Sequence, residues 1–142
     1  MKSKNTEIIV GDITRKERLT NIFKSFRPEI IFHAAAYKHV PLVEMNPLGG
    51  FSNNVLGSQS LLEACQAHQP ESFVLISTDK AVRPTNVMGA SKRIAELLVQ
   101  DAFHQWPECR WTMVRFGNVL GSSGSVIPLF REQLQLGQPL TV

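Results

Sequence analysis

A short apolar run that ends in a cluster of polar residues constrains this chain most. Residues Phe73 to Ile76 are continuously apolar, which is typical of a strand buried on both faces of a parallel sheet. The run stops at residues 77–80 (STDK), where such a strand would reach its carboxyl end. In open α/β sheets, ligands bind beyond the carboxyl ends of the strands. The pattern therefore predicts a parallel α/β fold with a candidate site at residues 77–80.

Apolar runs of strand length alternate with amphipathic runs of helix length along the whole chain. The predicted strands cover residues 7–10, 29–33, 73–76 and 111–116, with a possible last strand at 139–142. The predicted helices cover residues 14–26, 46–67, 87–104 and 128–136. This alternation is typical of a parallel sheet with right-handed crossovers. We therefore expect a doubly wound, Rossmann-like α/β sheet in a single domain over residues 1–142.

Three local signals predict where the helices begin and where they are weak. Thr14 and Glu17 fit a capping box, with Thr14 as the N-cap of the first helix. Asn46 and Pro47 predict an N-cap followed by a proline in the first turn. The pair at 49–50 (GG) weakens the start of that helix by about 1 kcal/mol per glycine. We expect a polar loop over residues 37–41, just before it.

The glycine pattern departs from the usual dinucleotide-binding turn. No Gly-x-Gly-x-x-Gly sequence is present, although this fold usually carries one after its first strand to hold a pyrophosphate. The glycine-serine loop at 117–125 lacks that spacing and is equally well a flexible connection. We expect the chain to begin partway into a Rossmann fold, and we expect it to hold a pyrophosphate weakly.

Composition excludes several classes of protein. The net charge of +3 comes from scattered lysines and arginines and suits a nucleic acid or an anionic small molecule equally well. No zinc-finger, helix-turn-helix or aromatic RNA-binding signature is present, and we expect no nucleic-acid partner. No apolar run approaches the roughly 20 residues of a membrane helix, and no secretory signal is present. Cys65 and Cys109 show no metal-ligand spacing and are expected to be reduced thiols of a cytoplasmic protein. We expect no bound metal ion.

Residues 77–92 combine acid, amine and hydroxyl groups near one strand end. Met88 and Lys92 lie four residues apart in a predicted helix and therefore share one helix face. A Ser/Thr/Asp cluster after a strand is also common in plain turns and helix caps, and that alternative stays open from spacing alone.

The motifs resemble those of the extended short-chain dehydrogenase/reductase superfamily, and more closely the CapD-like polysaccharide biosynthesis proteins, which are UDP-N-acetylglucosamine 4,6-dehydratases. The matching stretches are 10–13 (VGDI), 28–41 (PEIIFHAAAYKHVP), 53–57 (NNVLG), 76–92 (ISTDKAVRPTNVMGASK) and 115–128 (RFGNVLGSSGSVIP). They cover nearly the whole chain in the family's order.

The resemblance implies a bound NADP or NAD and a UDP-sugar substrate. The implied cofactor-binding residues are Asp12, Ile13, Ala34, Ala35, Ala36, Asn54 and Lys92. The implied substrate-binding residues are Lys38, His39, Asn118, Ser125 and Pro128. A solvated loop is an alternative for Lys38 and His39.

The resemblance also implies catalytic roles for Thr78, Asp79, Lys80, Met88 and Lys92. Oxidation at the sugar C4 makes the C5 proton acidic, and Lys80 would remove it once desolvation or cationic neighbours lower its pKa. Asp79, held neutral, would protonate the departing C6 hydroxyl. Thr78 would hydrogen-bond the C4 oxygen. The product is a 4-keto-6-deoxy sugar for capsule or O-antigen synthesis.

Two departures from the superfamily pattern leave alternatives open. The superfamily usually has tyrosine where this chain has Met88, although a subgroup of the dehydratases is similar in carrying methionine. We expect this chain to lack the first strand and glycine turn, and also the N-terminal membrane helices that many relatives carry. We expect the full-length form in the cytoplasm or at the cytoplasmic face of the inner membrane. The alternatives are a nucleotide-sugar epimerase and an inactive remnant that folds or forms a homo-oligomer.

Overall fold

The computed structural model describes residues 6–119 and 126–140. The helices are α1 (Lys16–Phe26), α2 (Val40–Met45), α3 (Pro47–Phe51), α4 (Gly57–Cys65), α5 (Val87–Gln105) and α6 (Val126–Gln135). A π-helical turn (Ser52–Leu56) joins α3 to α4, and a 3₁₀ turn (Asp79–Ala81) follows the second strand. The strands are β1 (Ile30–His33), β2 (Ser72–Thr78) and β3 (Arg110–Phe116).

The strands of the described residues form one parallel sheet in the order β1-β2-β3. Ile31 pairs with Phe73 across β1 and β2, and Ser77 pairs with Arg115 across β2 and β3. Parallel neighbours place all three carboxyl ends at one edge of the sheet. The predicted parallel α/β architecture is confirmed, and β2 extends to Thr78, so the polar cluster begins within the strand.

One hydrophobic core joins the sheet to three of the helices. Phe73 and Leu75 of β2 are fully buried at its centre. The residues packed around them come from α1, α4, α5 and the turn before β3, namely Leu19, Phe23, Leu61, Leu62, Cys65, Ala95, Val99, Ala102 and Cys109. On the other face of β1, Ile30 and Phe32 are exposed. The core thus holds α5 against the face of β2 that carries Phe73, Leu75 and Ser77.

The predicted strand at 7–10 is wrong. Residues 6–12 have no regular structure, and Ile8 and Val10 are largely exposed. A strand requires a partner for its backbone hydrogen bonds, and no other strand of the described residues pairs with this segment. The possible strand at 139–142 is also not formed at residues 139–140, whereas 141–142 lie outside the described residues.

Two predicted helix caps are also wrong. Helix α1 begins at Lys16 without a side-chain cap, because Asp12 accepts hydrogen bonds from the N–H and the hydroxyl of Thr14 in a local turn. Asn46 makes no cap either, since its amide donates to the Leu42 carbonyl. The proline signal is confirmed, because Pro47 lies in the first turn of α3.

The segment predicted as one helix over residues 46–67 is divided into α3, a π-helical turn and α4. Its helical structure includes the two glycines at 49–50, where we expected a weak start. Residues 47–65 are helical throughout, with the π turn in the middle. Gly50 packs so closely on Val43 of α2 that a side chain there would overlap the valine. The glycine that weakens the isolated helix therefore permits a tertiary contact. Part of the predicted polar loop is also helical, because α2 begins at Val40.

Both cysteines are buried thiols of the core. Burial raises the pKa of the Cys65 thiol to about 12, and the nearby Cys109 acts in the same direction. In the part of the chain that the structure describes, no helix has the length and apolar character needed to cross a membrane. The same residues contain no group of three or more His, Cys, Asp or Glu side chains suited to a metal ion.

Candidate active site

The polar cluster at the end of β2 forms a connected group with Asn118, which lies two residues after β3. The Lys80 ammonium lies 3.2 Å from Asp79 Oδ1 and 3.3 Å from Asn118 Oδ1. The Thr78 hydroxyl donates to Asp79 Oδ1 and accepts a hydrogen bond from the Lys80 N–H. Four side chains predicted from two separate motifs are therefore brought together at the carboxyl edge of the sheet. The simple-turn alternative does not account for the link from Lys80 to Asn118.

The hydrogen bonds around Asp79 favour its charged form. The hydrogen bond from Lys80, supported by one from Thr78, lowers the pKa of Asp79 below its ordinary value. Both side chains are partly open to solvent, with 58% exposure for Asp79 and 38% for Lys80. An exposed ion pair favours the carboxylate, so the role of Asp79 as a neutral acid requires a change in its surroundings and stays a prediction.

The first turn of α5 is fixed against this cluster. Asn86 caps the helix by accepting a hydrogen bond from the Gly89 N–H, as its position before the helix favours. Glu44 accepts a second one from the Val87 N–H, where a carboxylate also interacts well with the helix dipole. Gly89 lies directly on the Lys80 carbonyl oxygen, and a side chain there would collide with it. The backbone of Lys80 therefore has little freedom to move toward α5.

Met88 and Lys92 lie on one buried face of α5, as predicted from their spacing. Both are almost inaccessible to solvent. The Lys92 ammonium donates to the Ile76 carbonyl at 2.7 Å. Burial lowers the pKa of Lys92, whereas the Glu96 carboxylate acts in the opposite direction. Lys92 thus links α5 to the C-terminal part of strand β2.

Asn54 is buried and fixes the segment that follows β1. Its side chain accepts a hydrogen bond from the Tyr37 N–H at 2.7 Å and donates to the Tyr37 carbonyl at 3.0 Å. It also donates to the Ser91 hydroxyl, which in turn donates to the Met88 carbonyl. These hydrogen bonds link the segment that ends at Tyr37 to α5.

A buried histidine ends β1 beneath this segment. His33 Nε2 lies 2.8 Å from the Ser58 hydroxyl, which donates its proton to the Asn54 carbonyl. Since that hydroxyl proton is used, His33 must donate through Nε2. Burial lowers the pKa of His33 to about 4, and the charge of Lys92 acts in the same direction. His33 is thus a neutral hydrogen-bond donor within the core.

Glu96 is a fully buried carboxylate one helical turn beyond Lys92. It accepts hydrogen bonds from Ser77, Arg93 and both arms of the Arg115 guanidinium. Burial acts to raise the pKa of Glu96, but these donors, Arg115 first among them, lower it to about 2. Sequence reasoning did not identify Glu96, His33, Ser58 or Gly89. Only the position of Glu96 four residues after Lys92 could have indicated it.

A pocket of about 680 Å³ opens beside the segment that follows β1. It is lined by Ala36, Tyr37, Lys38, His39, Leu42, Val43, Asn46, Gly49 and Gly50. The structure thus brings Lys38 and His39 together with Ala36, a predicted cofactor residue. Thr78, Asp79 and Lys80 do not line this pocket.

The remaining predicted residues lie in different settings. Ala34 and Ala35 are exposed, and Asp12 is exposed beside a half-buried Ile13, which packs on Gly57. Pro128 is exposed on α6, and Ser125 lies outside the described residues. Their cofactor-binding and substrate-binding roles stay predictions.

Together these features define a Rossmann-like α/β protein with a polar site at the carboxyl edge of its sheet. A model of the polysaccharide biosynthesis protein family matches residues 1–142, and the chain belongs to that family.

Curated relatives carry names from nucleotide-sugar chemistry. The capsular polysaccharide biosynthesis protein CapD of Staphylococcus aureus is 48% identical over 134 residues, covering 94% of this chain and 22% of that protein. A UDP-N-acetylglucosamine 4,6-dehydratase (inverting) of Campylobacter jejuni is 36% identical, covering 90% and 38%. A UDP-glucose 4-epimerase of Rickettsia canadensis is 42% identical, covering 80% and 34%. The chain spans well under half the length of each.

Solved structures share the fold. Pen from Bacillus thuringiensis has a TM-score of 0.89 at 38% identity, covering 99% of this chain and 44% of that one. A UDP-glucose 4-epimerase from Thermus thermophilus, solved in complex with NAD, has a TM-score of 0.87 at 28% identity, covering 99% and 52%. These neighbours confirm the predicted Rossmann-like class.

Proposed function

We propose that this chain carries the elimination site of a nucleotide-sugar 4,6-dehydratase. The substrate would be UDP-N-acetylglucosamine or a similar UDP-sugar, and the 4-keto-6-deoxy product would serve surface polysaccharide synthesis. The observation that carries the proposal is the contact of Lys80 with both Asp79 and Asn118. A base and an acid side by side are what the removal of water requires.

NADP or NAD would bind along the carboxyl edge of the sheet. Ala34, Ala35 and Ala36 follow β1 with only methyl side chains, and the first two are exposed, so the backbone is open to a large planar ligand. Asn54 holds the end of this segment through Tyr37. Asp12 and Ile13 would flank the adenine, and Lys92 would approach the nicotinamide ribose. A nicotinamide held there would supply the hydride chemistry that oxidation at the sugar C4 and reduction at C6 require.

Before the substrate binds, Asp79 and Lys80 would form an ion pair of carboxylate and ammonium. For catalysis they would have to become a neutral carboxylic acid and a neutral amine. Lys80 can remove the C5 proton only as an amine, and Asp79 can protonate the C6 hydroxyl only as an acid. Transfer of one proton from Lys80 Nζ to Asp79 Oδ1, which lie 3.2 Å apart, yields both forms at once. A sugar that covers the pair excludes water, and desolvation disfavours the charged forms.

The remaining residues would orient the substrate. Thr78 would hydrogen-bond the C4 oxygen, and Asn118 would face the diphosphate beside Ser125 and Pro128. Lys38 and His39, which line the pocket beside the segment that follows β1, would meet the anionic part of the ligand. Met88 has no exchangeable proton and would pack beside the nicotinamide, where it excludes water.

Mass spectrometry of the sugar nucleotide tests this proposal. The complete gene product should convert UDP-N-acetylglucosamine to a product lighter by one water. Lys80→Met and Asp79→Asn should abolish that product while retaining cofactor binding. Arg83→Met provides a control, because Arg83 is exposed in the link after the 3₁₀ turn. Full product formation by either site variant would contradict the assignment.

Epimerisation at C4 is the second candidate, since relatives of similar identity are named UDP-glucose 4-epimerases. An epimerase changes configuration without a change in mass and needs no acid-base pair for elimination. A product of unchanged mass that separates from the substrate by chromatography would favour it.

A further inference from the structure

Glu96 connects the ends of the two strands that carry the elimination site. Its Oε1 accepts from the Ser77 hydroxyl at 2.7 Å and from Arg115 Nε at 2.9 Å. Its Oε2 accepts from Arg115 Nη2 at 2.7 Å. Ser77 and Arg115 are register partners in β2 and β3. One carboxylate on α5 therefore joins neighbouring positions of both strands.

The residues next to these anchors are those of the proposed site. Ser77 immediately precedes Thr78, and Arg115 lies three residues before Asn118. On the ligand side the two segments meet again, where Lys80 donates to Asn118 at 3.3 Å. The C-terminal ends of β2 and β3 are thus joined twice. Glu96 links them within the strands, and the Lys80–Asn118 contact links the segments that follow them.

We propose that Glu96 and Arg115 are positioning residues that set the separation between Lys80 and Asn118. This inference rests on the proposed function. If Lys80 acts on the sugar ring and Asn118 faces the diphosphate, their separation must match the spacing of these groups within one substrate molecule. The planar, two-armed guanidinium of Arg115 fixes that geometry better than a single ammonium could.

Arg93 offers a matched control for Arg115. Its Nη1 donates to Glu96 Oε2 at 2.9 Å, and its side chain is 38% exposed, against 43% for Arg115. It lies on α5 with Glu96, however, and does not reach a strand. Arg93→Lys changes only a contact to Glu96. Arg115→Lys changes a contact to Glu96 and also the link between α5 and β3.

The first test is a double-mutant cycle in the complete gene product. Arg115→Lys should lower kcat about 10- to 100-fold with little change in KM, because binding groups stay and alignment is lost. Arg93→Lys should retain kcat. Arg115→Lys combined with Asn118→Ala should be no slower than Asn118→Ala alone, within about twofold, since both changes break one arrangement. Fully multiplicative losses, or an equal loss in Arg93→Lys, would overturn the proposal.

The second test does not depend on activity. Amide hydrogen exchange should become faster in Arg115→Lys at residues 78–80 and 117–119, and should stay unchanged in Arg93→Lys. Unchanged exchange at both segments in Arg115→Lys would refute the positioning role. If the exchange result holds but the wild-type protein releases no water from the sugar, the positioning role stands and the proposed function fails.

Discussion

Gly89 lies against the carbonyl oxygen of Lys80, so closely that no side chain fits between the two residues. The contact joins the first turn of α5 to the residue proposed as the base. The two positions are nine residues apart, and the 3₁₀ turn and the capped start of α5 bring them together. The backbone of Lys80 is therefore set by helix packing as well as by its strand.

Gly89→Ala should lower the free energy of unfolding by about 1–3 kcal/mol, because the obstructing atom belongs to the backbone and cannot rotate away. Activity should fall as well, since Lys80 must shift. The control is Gly49→Ala, whose added methyl meets no atom within 4 Å and should stabilise its helix by about 0.5–1 kcal/mol. Urea unfolding of both variants measures the difference. A Gly89→Ala protein as stable as the wild type would show that the close contact is absent.

Because His33 is buried in its neutral form, we expect the protein to lose stability in mild acid. Its pKa of about 4 in the folded protein lies below the ordinary value of 6.5, so the unfolded chain takes up the proton first as the pH falls. The stabilisation is complete above pH 6.5 and declines toward pH 4, by at most about 3 kcal/mol. His33→Gln should flatten this dependence between pH 6.5 and 5, where the carboxylates of lowered pKa are still ionised.

The control for this measurement is His104→Gln, since His104 is exposed in the last turn of α5. The same unfolding measurements on this variant show how far replacement of an exposed histidine alone alters the result. An equal slope in wild type and His33→Gln would mean that the pKa of His33 is the same in the folded and unfolded protein, which would contradict the effect of its burial.

Met88→Leu should keep substantial activity, because size and polarity change little at a position where we expect only packing. Met88→Tyr should be tolerated or improve turnover, since it restores the phenol common in the superfamily. Steady-state kinetics of both variants, beside Lys92→Ala, measure the effect. A Met88→Leu protein that is folded by circular dichroism yet as inactive as Lys92→Ala would reveal a chemical role for the thioether.

The sequence was sufficient for the features that depend on local patterns. Periodicity located α1, α5 and the three strands of the sheet, and the run from Thr78 to Lys80 indicated the site. The failures concern partners that a local pattern does not contain. The strand predicted at 7–10 has no neighbour to pair with, and Asn46 bonds to Leu42 instead of capping α3. In the sequence, Glu96 has the pattern of an ordinary residue on a helix surface. Its partners Ser77 and Arg115 lie on β2 and β3, and only the folded sheet places them beside it.

The proposed roles of Lys80 as the base at C5 and of Asp79 as the acid at the C6 hydroxyl are tested most directly by deuterium incorporation from solvent at the sugar C5. In heavy water, the wild-type protein should release a 4-keto-6-deoxy product with deuterium at C5. Asp79→Asn should return UDP-N-acetylglucosamine that carries deuterium at C5 but has lost no water, because the base is retained and the acid is missing. Lys80→Met should incorporate none. Deuterium at C5 in the Lys80→Met reaction would contradict the account, because another group would then be the base.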